Sequence, residues 1–185
     1  MPLIPYADIA AAPVEVRDAM ARMPKKLNIF RMLAHAKTSF LPALRLGGAI
    51  LARQKLAPAM RELVILLVAQ VEQGSYEWVQ HLPVAESAGC TKAQIAALET
   101  GRYDAECFNA KEKALLRFAY EVIEEVRASE ETVKSAVAFF SAQEIVEIIV
   151  TCGYYMTLAR ITETTRVDVE PAGGSAVLEE LGRLR

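Results

Sequence analysis

The sequence predicts an all-α protein, and three observations carry that prediction. Apolar residues recur at helical spacing along almost all of the 185 residues, Ala and Leu are abundant, and the 9 glycines and 8 prolines fall mostly between the periodic segments. Three segments open with the chemistry of a helix start: Thr91-Lys-Ala-Gln94, Asn109-Ala-Lys-Glu112 and Ser141-Ala-Gln-Glu144. Each sets a capping side chain three residues before a Glu or Gln, so that two otherwise unpaired backbone donors are satisfied reciprocally. With 53% hydrophobic and 24% charged residues, the chain can bury a substantial core at the size of one domain or a compact pair of subdomains.

In chain order, the pattern predicts a short helix over 14–23 and helices near 28–37, 39–53, 58–72, 75–88, 91–99, 110–127, 130–139 and 142–165. Two of them are apolar nearly all round, Leu63–Val71 and Ile145–Leu158, which predicts burial at the centre of the fold or in a subunit interface. Their sequences also resemble each other, as two buried helices or as an old duplication would. Pro83 falls inside the 75–88 segment, where it frees the carbonyl of Val79 and bends or ends the helix. The single domain is expected to span 1–170, leaving 171–185 as a tail. That tail turns amphipathic at Val177, Leu178, Leu181 and Leu184, to dock on a partner subunit or to fray.

Charge and cysteine usage narrow the function. The net charge of −2 and pI of about 5.8 argue against a grip on phosphate backbones, which needs a clustered cationic surface. Cys90, Cys107 and Cys152 are odd in number and in no metal-ligand or redox spacing, which suits free thiols in a reducing compartment. No early basic cluster leads an apolar stretch, and the apolar run at Leu63–Ala69 is far short of the roughly 20 residues of a spanning helix. A cytoplasmic protein without nucleic-acid or membrane partners is expected.

The chemistry concentrates around one of the two histidines. In a helix, Glu77 and His81 stand one turn apart on the same face, and a carboxylate beside an imidazole orients the ring and fixes its tautomer for proton shuttling. Trp78 and Val79 flank the pair with apolar bulk. The same spacing also describes an exposed Glu–His pair that merely supports the helix. Glu62 opens the most apolar helix beside Arg61, as a relay member or as an ion-pair partner. Tyr154 and Tyr155 lie on the other apolar helix, where a buried hydroxyl must find a partner and one of the two could line a site. His35 has no acidic neighbour in sequence and reads as structural. Arg17, Arg22, Lys25, Lys26 and Arg31 read as a solvated face. A Glu-x-x-x-His pair offers two metal ligands where zinc takes three or four, so no metal and no cofactor are expected. No Gly-rich phosphate loop, Gly-x-Ser-x-Gly elbow or redox dithiol is present.

Several stretches together resemble the carboxymuconolactone decarboxylase family, which is structurally joined with the alkyl hydroperoxidase D-like proteins. They are Asn28-Ile-Phe-Arg31-Met-Leu-Ala-His35, Leu46-Gly-Gly-Ala-Ile-Leu, Arg61-Glu-Leu-Val-Ile-Leu, Tyr76-Glu-Trp-Val-Gln-His81-Leu-Pro-Val-Ala and Gly153-Tyr-Tyr-Met-Thr-Leu-Ala-Arg160. The resemblance covers residues 28–170. It implies an all-α, multi-helix fold, a homo-oligomer such as a trimer or hexamer, and an active site on the helix carrying Glu77 and His81. In the hydroperoxidase branch two cysteines in C-x-x-C precede the histidine; here those positions are Gly74 and Glu77, and the relay glutamate falls on Glu62. With both sulfurs missing, dithiol peroxidase activity is not expected, because it needs a thiolate and a resolving thiol. The decarboxylase branch implies a small carboxylated lactone or aromatic-degradation intermediate as substrate. His81 would then be the proton donor, Glu77 its orienting partner and Glu62 a second relay member, with Arg31, Arg160, Tyr154 and Trp78 around the substrate. Peroxide reduction and a non-catalytic oligomeric binding protein are the alternatives, and the latter predicts a Glu77/His81 face filled by core side chains.

Overall fold

The computed structural model describes residues 1–183, and among these there are ten α-helices, one 3-10 turn (Ile9–Ala11) and no strand. The helices are α1 (Val14–Arg22), α2 (Asn28–Leu33), α3 (Phe40–Arg53), α4 (Pro58–Val71), α5 (Ser75–Ala88), α6 (Lys92–Glu99), α7 (Ala110–Glu124), α8 (Glu130–Val137), α9 (Ala142–Thr165) and α10 (Ser175–Arg183). All three anticipated capping boxes form. At α7, for example, Asn109 Oδ1 accepts from Glu112 N at 3.0 Å while Glu112 Oε2 accepts from Asn109 N at 2.8 Å. Helix α5 runs through Pro83 and ends at Gly89, whose φ of +102° is open to glycine at little cost.

Two expected boundaries were too long. The 28–37 segment stops at Leu33, because the bonds His35 N to Met32 O (3.1 Å) and Ala36 N to Leu33 O (2.9 Å) tighten the chain into turns. His35 caps that turn on the outside, its Nε2 2.7 Å from the Pro5 carbonyl oxygen, which is the structural role its surroundings suggested. The 110–127 segment stops at Glu124, two residues before Val126 turns to a φ of +68°.

Helix α4 is the axis of the fold. Nine consecutive residues, Arg61–Ala69, are buried, and α5, α6, α7 and α9 pack around them. This core takes in Leu115, Leu116 and Phe118 of α7 and Ile148, Cys152 and Tyr155 of α9. A second core joins α1, α2 and α3 through Met20, Phe30, Phe40 and Leu44, and it reaches Tyr76 of α5. Within this chain helix α9 is buried on one face only. One face, Ile148, Thr151, Cys152, Tyr155, Ala159 and Thr162, is buried, while Val146, Ile149 and Val150 are exposed. By length and composition α9, not α4, is the segment apolar enough to cross a membrane, yet its buried face is built into the core.

Among the described residues, the chain beyond Glu170 folds back onto its own helices. Helix α10 lies on α3 of the same chain, with Val177 and Leu181 buried in the second core. The approach is so close that a Cβ at Gly48 would collide with the Leu181 carbonyl, and one at Gly182 would come within 2.8 Å of Ala52 Cβ. The strap leading to it is pinned by Gln80, whose Nε2 donates to Glu170 O (2.8 Å) and whose Oε1 accepts from Gly173 N (2.8 Å). Lys25 Nζ donates to Pro171 O and Ala172 O. Leu184, the last member of the amphipathic pattern, lies outside the described residues.

Candidate active site

Between the two cores, which share Leu51 and Leu158 as partly buried neighbours, lies a cavity of about 70 Å³. That is room for roughly five to seven water-sized groups. Leu27, Ile29 and Phe30 form one wall, Gly47 and Leu51 of α3 another, and Gly173, Val177 and Leu181 close it from the C-terminal strap. Helix α5 contributes Tyr76, Glu77, Gln80, His81 and Val84; α9 contributes Tyr154, Tyr155 and Leu158. The face carrying Glu77 and His81 is therefore open to a ligand rather than packed shut.

His81 is held by Glu62, not by Glu77. Its Nδ1 lies 2.8 Å from Glu62 Oε2, and Arg61 Nε donates to Glu62 Oε1 at 3.1 Å. All three side chains are buried, Glu62 completely. A carboxylate only accepts, so Nδ1 carries the hydrogen, and in the neutral form of the ring Nε2 presents a lone pair. Nε2 has no hydrogen-bond partner among the described residues, and the ring lines the cavity. Tyr155 fixes the ring from the side, edge to face at 5.0 Å between centroids. This arrangement can remove a proton from a bound molecule and return it.

Glu77 makes a separate unit. Its oxygens lie 3.2 and 3.1 Å from Thr162 Oγ1, which is also 3.0 Å from the Ala159 carbonyl. Bonded to that carbonyl, the hydroxyl can accept from a protonated Glu77; turned the other way, it donates to the carboxylate. Burial pushes the Glu77 carboxyl up to about 7, against an opposing pull from Thr162 and from His81. The start of α5 makes room for it, since a Cβ at Gly74 would stand 2.8 Å from Glu77 Oε2. Glu163, accepting from Ser75 N and Oγ at 2.9 and 3.0 Å, fixes that first turn.

The structure thus brings together His81, Glu62, Glu77 and Tyr154 of the expected site, with Glu62 in the orienting role assigned to Glu77. Three expected substrate contacts are elsewhere. Arg31 stacks on the Tyr6 ring, 4.3 Å from its centroid, and bonds Asn28 Oδ1. Arg160 lies on the exposed side of α9, paired with Glu72 at 2.8 Å. Trp78 faces an outer cleft with Gln73, Ser75 and Glu99, because it follows Glu77 by one position and so turns away from the cavity. Thr162, Tyr76 and Gln80 were missed. Tyr76 and Gln80 were readable as members of the buried stripe 76, 77, 80, 81 and 84, whereas no local signal in the sequence ties Thr162 to Glu77. None of the three cysteines lines the cavity, and burial pushes the thiols of Cys90 and Cys152 up to about 12. Among the described residues no group of three or more potential ligands could hold a metal ion.

Fold and site together define an all-helical protein whose central feature is a carboxylate-held histidine over a small, partly open cavity. The carboxymuconolactone decarboxylase family pattern matches residues 42–121, which takes in α4, α5 and the site carried on them. Among solved structures, the alkylhydroperoxidase AhpD core protein of Ralstonia eutropha JMP134, an uncharacterized peroxidase-related protein, superimposes with a TM-score of 0.78 at 17% identity, over 96% of this chain and 95% of that one. A peroxidase-related protein of Silicibacter sp. TM1040 gives 0.76 at 16% identity, over 100% and 96%. The debrominase Bmp8, as a cysteine variant with 2,3,4-tribromopyrrole, gives 0.73 at 16% identity, over 97% of each chain. No protein of curated function matches the sequence significantly. Over residues 42–121 the chain carries the carboxymuconolactone decarboxylase family pattern, its fold is that of the AhpD-like structures, and it has Gly74 and Glu77 where a C-x-x-C pair would precede His81.

Proposed function

We propose that the protein is a cofactor-independent enzyme that moves protons on a small oxygenated molecule enclosed in the cavity. The observation that carries this reading is the Glu62–His81 bond, which leaves Nε2 unpartnered at the cavity wall. His81 takes a proton from an acidic C–H or O–H of the ligand and becomes an imidazolium whose Nδ1–H remains on Glu62. Glu77, whose carboxyl still carries a proton in part near neutral pH, delivers a proton to another atom of the same molecule, so that one proton is taken and one is given. Decarboxylation of a carboxylated lactone is one reaction that uses such groups. Of the residues expected to hold its carboxylate, however, neither Arg31 nor Arg160 lines the cavity. Peroxide reduction finds no support in the thiols, which lie away from the cavity.

The test is exchange of acidic C–H hydrogens for deuterium in a panel of small lactones and cyclic ketones, followed by NMR. The wild-type protein is expected to accelerate exchange, and His81→Ala to lose about 10²–10⁴-fold of it while keeping its helical signal. Exchange that survives in His81→Ala overturns the reading.

The resemblance also implies a homo-oligomer, and the surface best suited to a second copy is the exposed apolar line Val146, Ile149, Val150 on α9. Gly153 continues that line with nothing within 4 Å of a Cβ built on it, which lets another backbone come close. Ile149→Glu is expected to shift sedimentation toward the monomer without changing the helical signal; an unchanged sedimentation profile removes this face from the assembly.

A further inference from the structure

The cavity wall carries its own statement about charge. No described lining residue is a Lys or Arg, and the ionisable groups other than phenols are Glu77 and His81. Arg61, next along the relay, is bonded to Glu62 and does not line the cavity. A ligand carboxylate brought here would be stripped of water with no lysine or arginine of the described lining to meet it, and would lie near an acidic side chain. The wall also holds the Gln80 amide, which is bonded to Glu170 O and Gly173 N, and is otherwise mostly apolar, from Leu27, Ile29, Phe30, Leu51, Leu158 and Val177.

Three phenols interrupt that apolar wall; Tyr76 is engaged, its hydroxyl donating to Glu170 Oε1 at 2.6 Å, and the other two are not. Tyr154 and Tyr155 both line the cavity, and neither hydroxyl has a hydrogen-bond partner among the described residues. A buried tyrosine hydroxyl ordinarily finds a partner, and Tyr155 is only 2% exposed. The rings cannot swing away to find one. They stack edge to face on each other with centroids 5.4 Å apart, and Tyr155 packs the same way on His81. Tyr154 is seated over Gly47, where any Cβ would run into its hydroxyl. Burial raises both phenols, so they stay neutral and serve as donors.

We infer that the cavity takes an uncharged, ring-sized molecule bearing an acceptor oxygen, such as a phenol or a lactone without a free acid group, and that Tyr154 and Tyr155 donate to that oxygen beside His81. This deepens the proton-transfer reading and rests on it only for what happens after binding. The hydroxyls select the oxygen, the apolar wall selects the ring, and a lining without a described lysine or arginine disfavours the carboxylate.

Isothermal titration of the full-length protein with phenol, benzoate and benzene, and with γ-butyrolactone against its carboxylated counterpart, tests it directly. Each neutral oxygenated probe is expected to bind about tenfold or more tightly than its carboxylate partner. Tyr154→Phe is expected to weaken phenol about fivefold or more and to leave benzene unchanged. Tyr155→Phe repeats the measurement at the neighbouring hydroxyl, with thermal unfolding confirming that each variant is folded. Carboxylates that bind as tightly as the neutral probes, an equal loss for phenol and benzene in both variants, or no binding of any neutral probe overturn the inference. Exchange that persists in His81→Ala alongside this selectivity removes the proton-transfer reading alone. Exchange lost in His81→Ala with no such selectivity removes the ligand class alone.

Discussion

Glu62→Gln is expected to reduce catalysed C–H exchange by about 10²–10⁴-fold, as much as removing the imidazole itself, although it changes the side-chain volume hardly at all. The reason lies in which donors surround position 62. Arg61 Nε donates to Oε1 at 3.1 Å, so the amide of the variant must turn its carbonyl oxygen to that side. Its NH₂ then faces His81 Nδ1, now 2.8 Å from Oε2. Two donors cannot share that bond, so the ring proton moves to Nε2 and the lone pair turns away from the cavity. The variant should therefore fold, bind phenol as the parent does and fail to exchange protons. NMR of the ring nitrogens reads the tautomer, and an unchanged Nδ1–H signal with full exchange would show that Glu62 has no part in the relay.

That prediction depends on contacts of very different legibility. The helices were readable because periodicity and capping chemistry are local: Thr91, Asn109 and Ser141 announce their helices within three residues. The one-turn spacing of Glu77 and His81 is local too, and the structure does place both on the cavity wall. The partner of each is not local. Glu62 reaches His81 across 19 positions and Thr162 reaches Glu77 across 85, through the packing of α4 and α9 on α5. Sequence spacing favoured the nearer carboxylate, and packing chose the other one. Likewise the amphipathic pattern after Glu170 marks an apolar face without saying what covers it. Gly48 is what admits the Leu181 carbonyl, and a glycine inside a helix gives no sign of what approaches it.

The last expectation concerns stability rather than turnover. Glu77 is 3% exposed and its carboxyl titrates near 7 rather than 4.5, chiefly because burial disfavours the charged form. Below pH 4.5 the group is protonated in the folded and the unfolded chain alike, and it adds no pH dependence. Between about 4.5 and about 7 the unfolded chain has released this proton while the folded chain still holds it, so stability falls as the pH rises. Above 7 both forms are ionised and the loss is complete, on the order of 3 kcal/mol at about 1.4 kcal/mol per pH unit. Glu121 and Glu144 act in the opposite sense, since hydrogen bonds from Thr132 and Ser141 hold their carboxyls low and their contribution is lost as the pH falls. A difference measurement removes them. Denaturant unfolding of the parent and of Glu77→Gln at pH 5 and pH 8 should show the parent losing stability relative to the variant across that interval. Parallel behaviour of the two proteins would mean that Glu77 is ionised throughout, and so could not act as the proton-bearing partner of His81 near neutral pH.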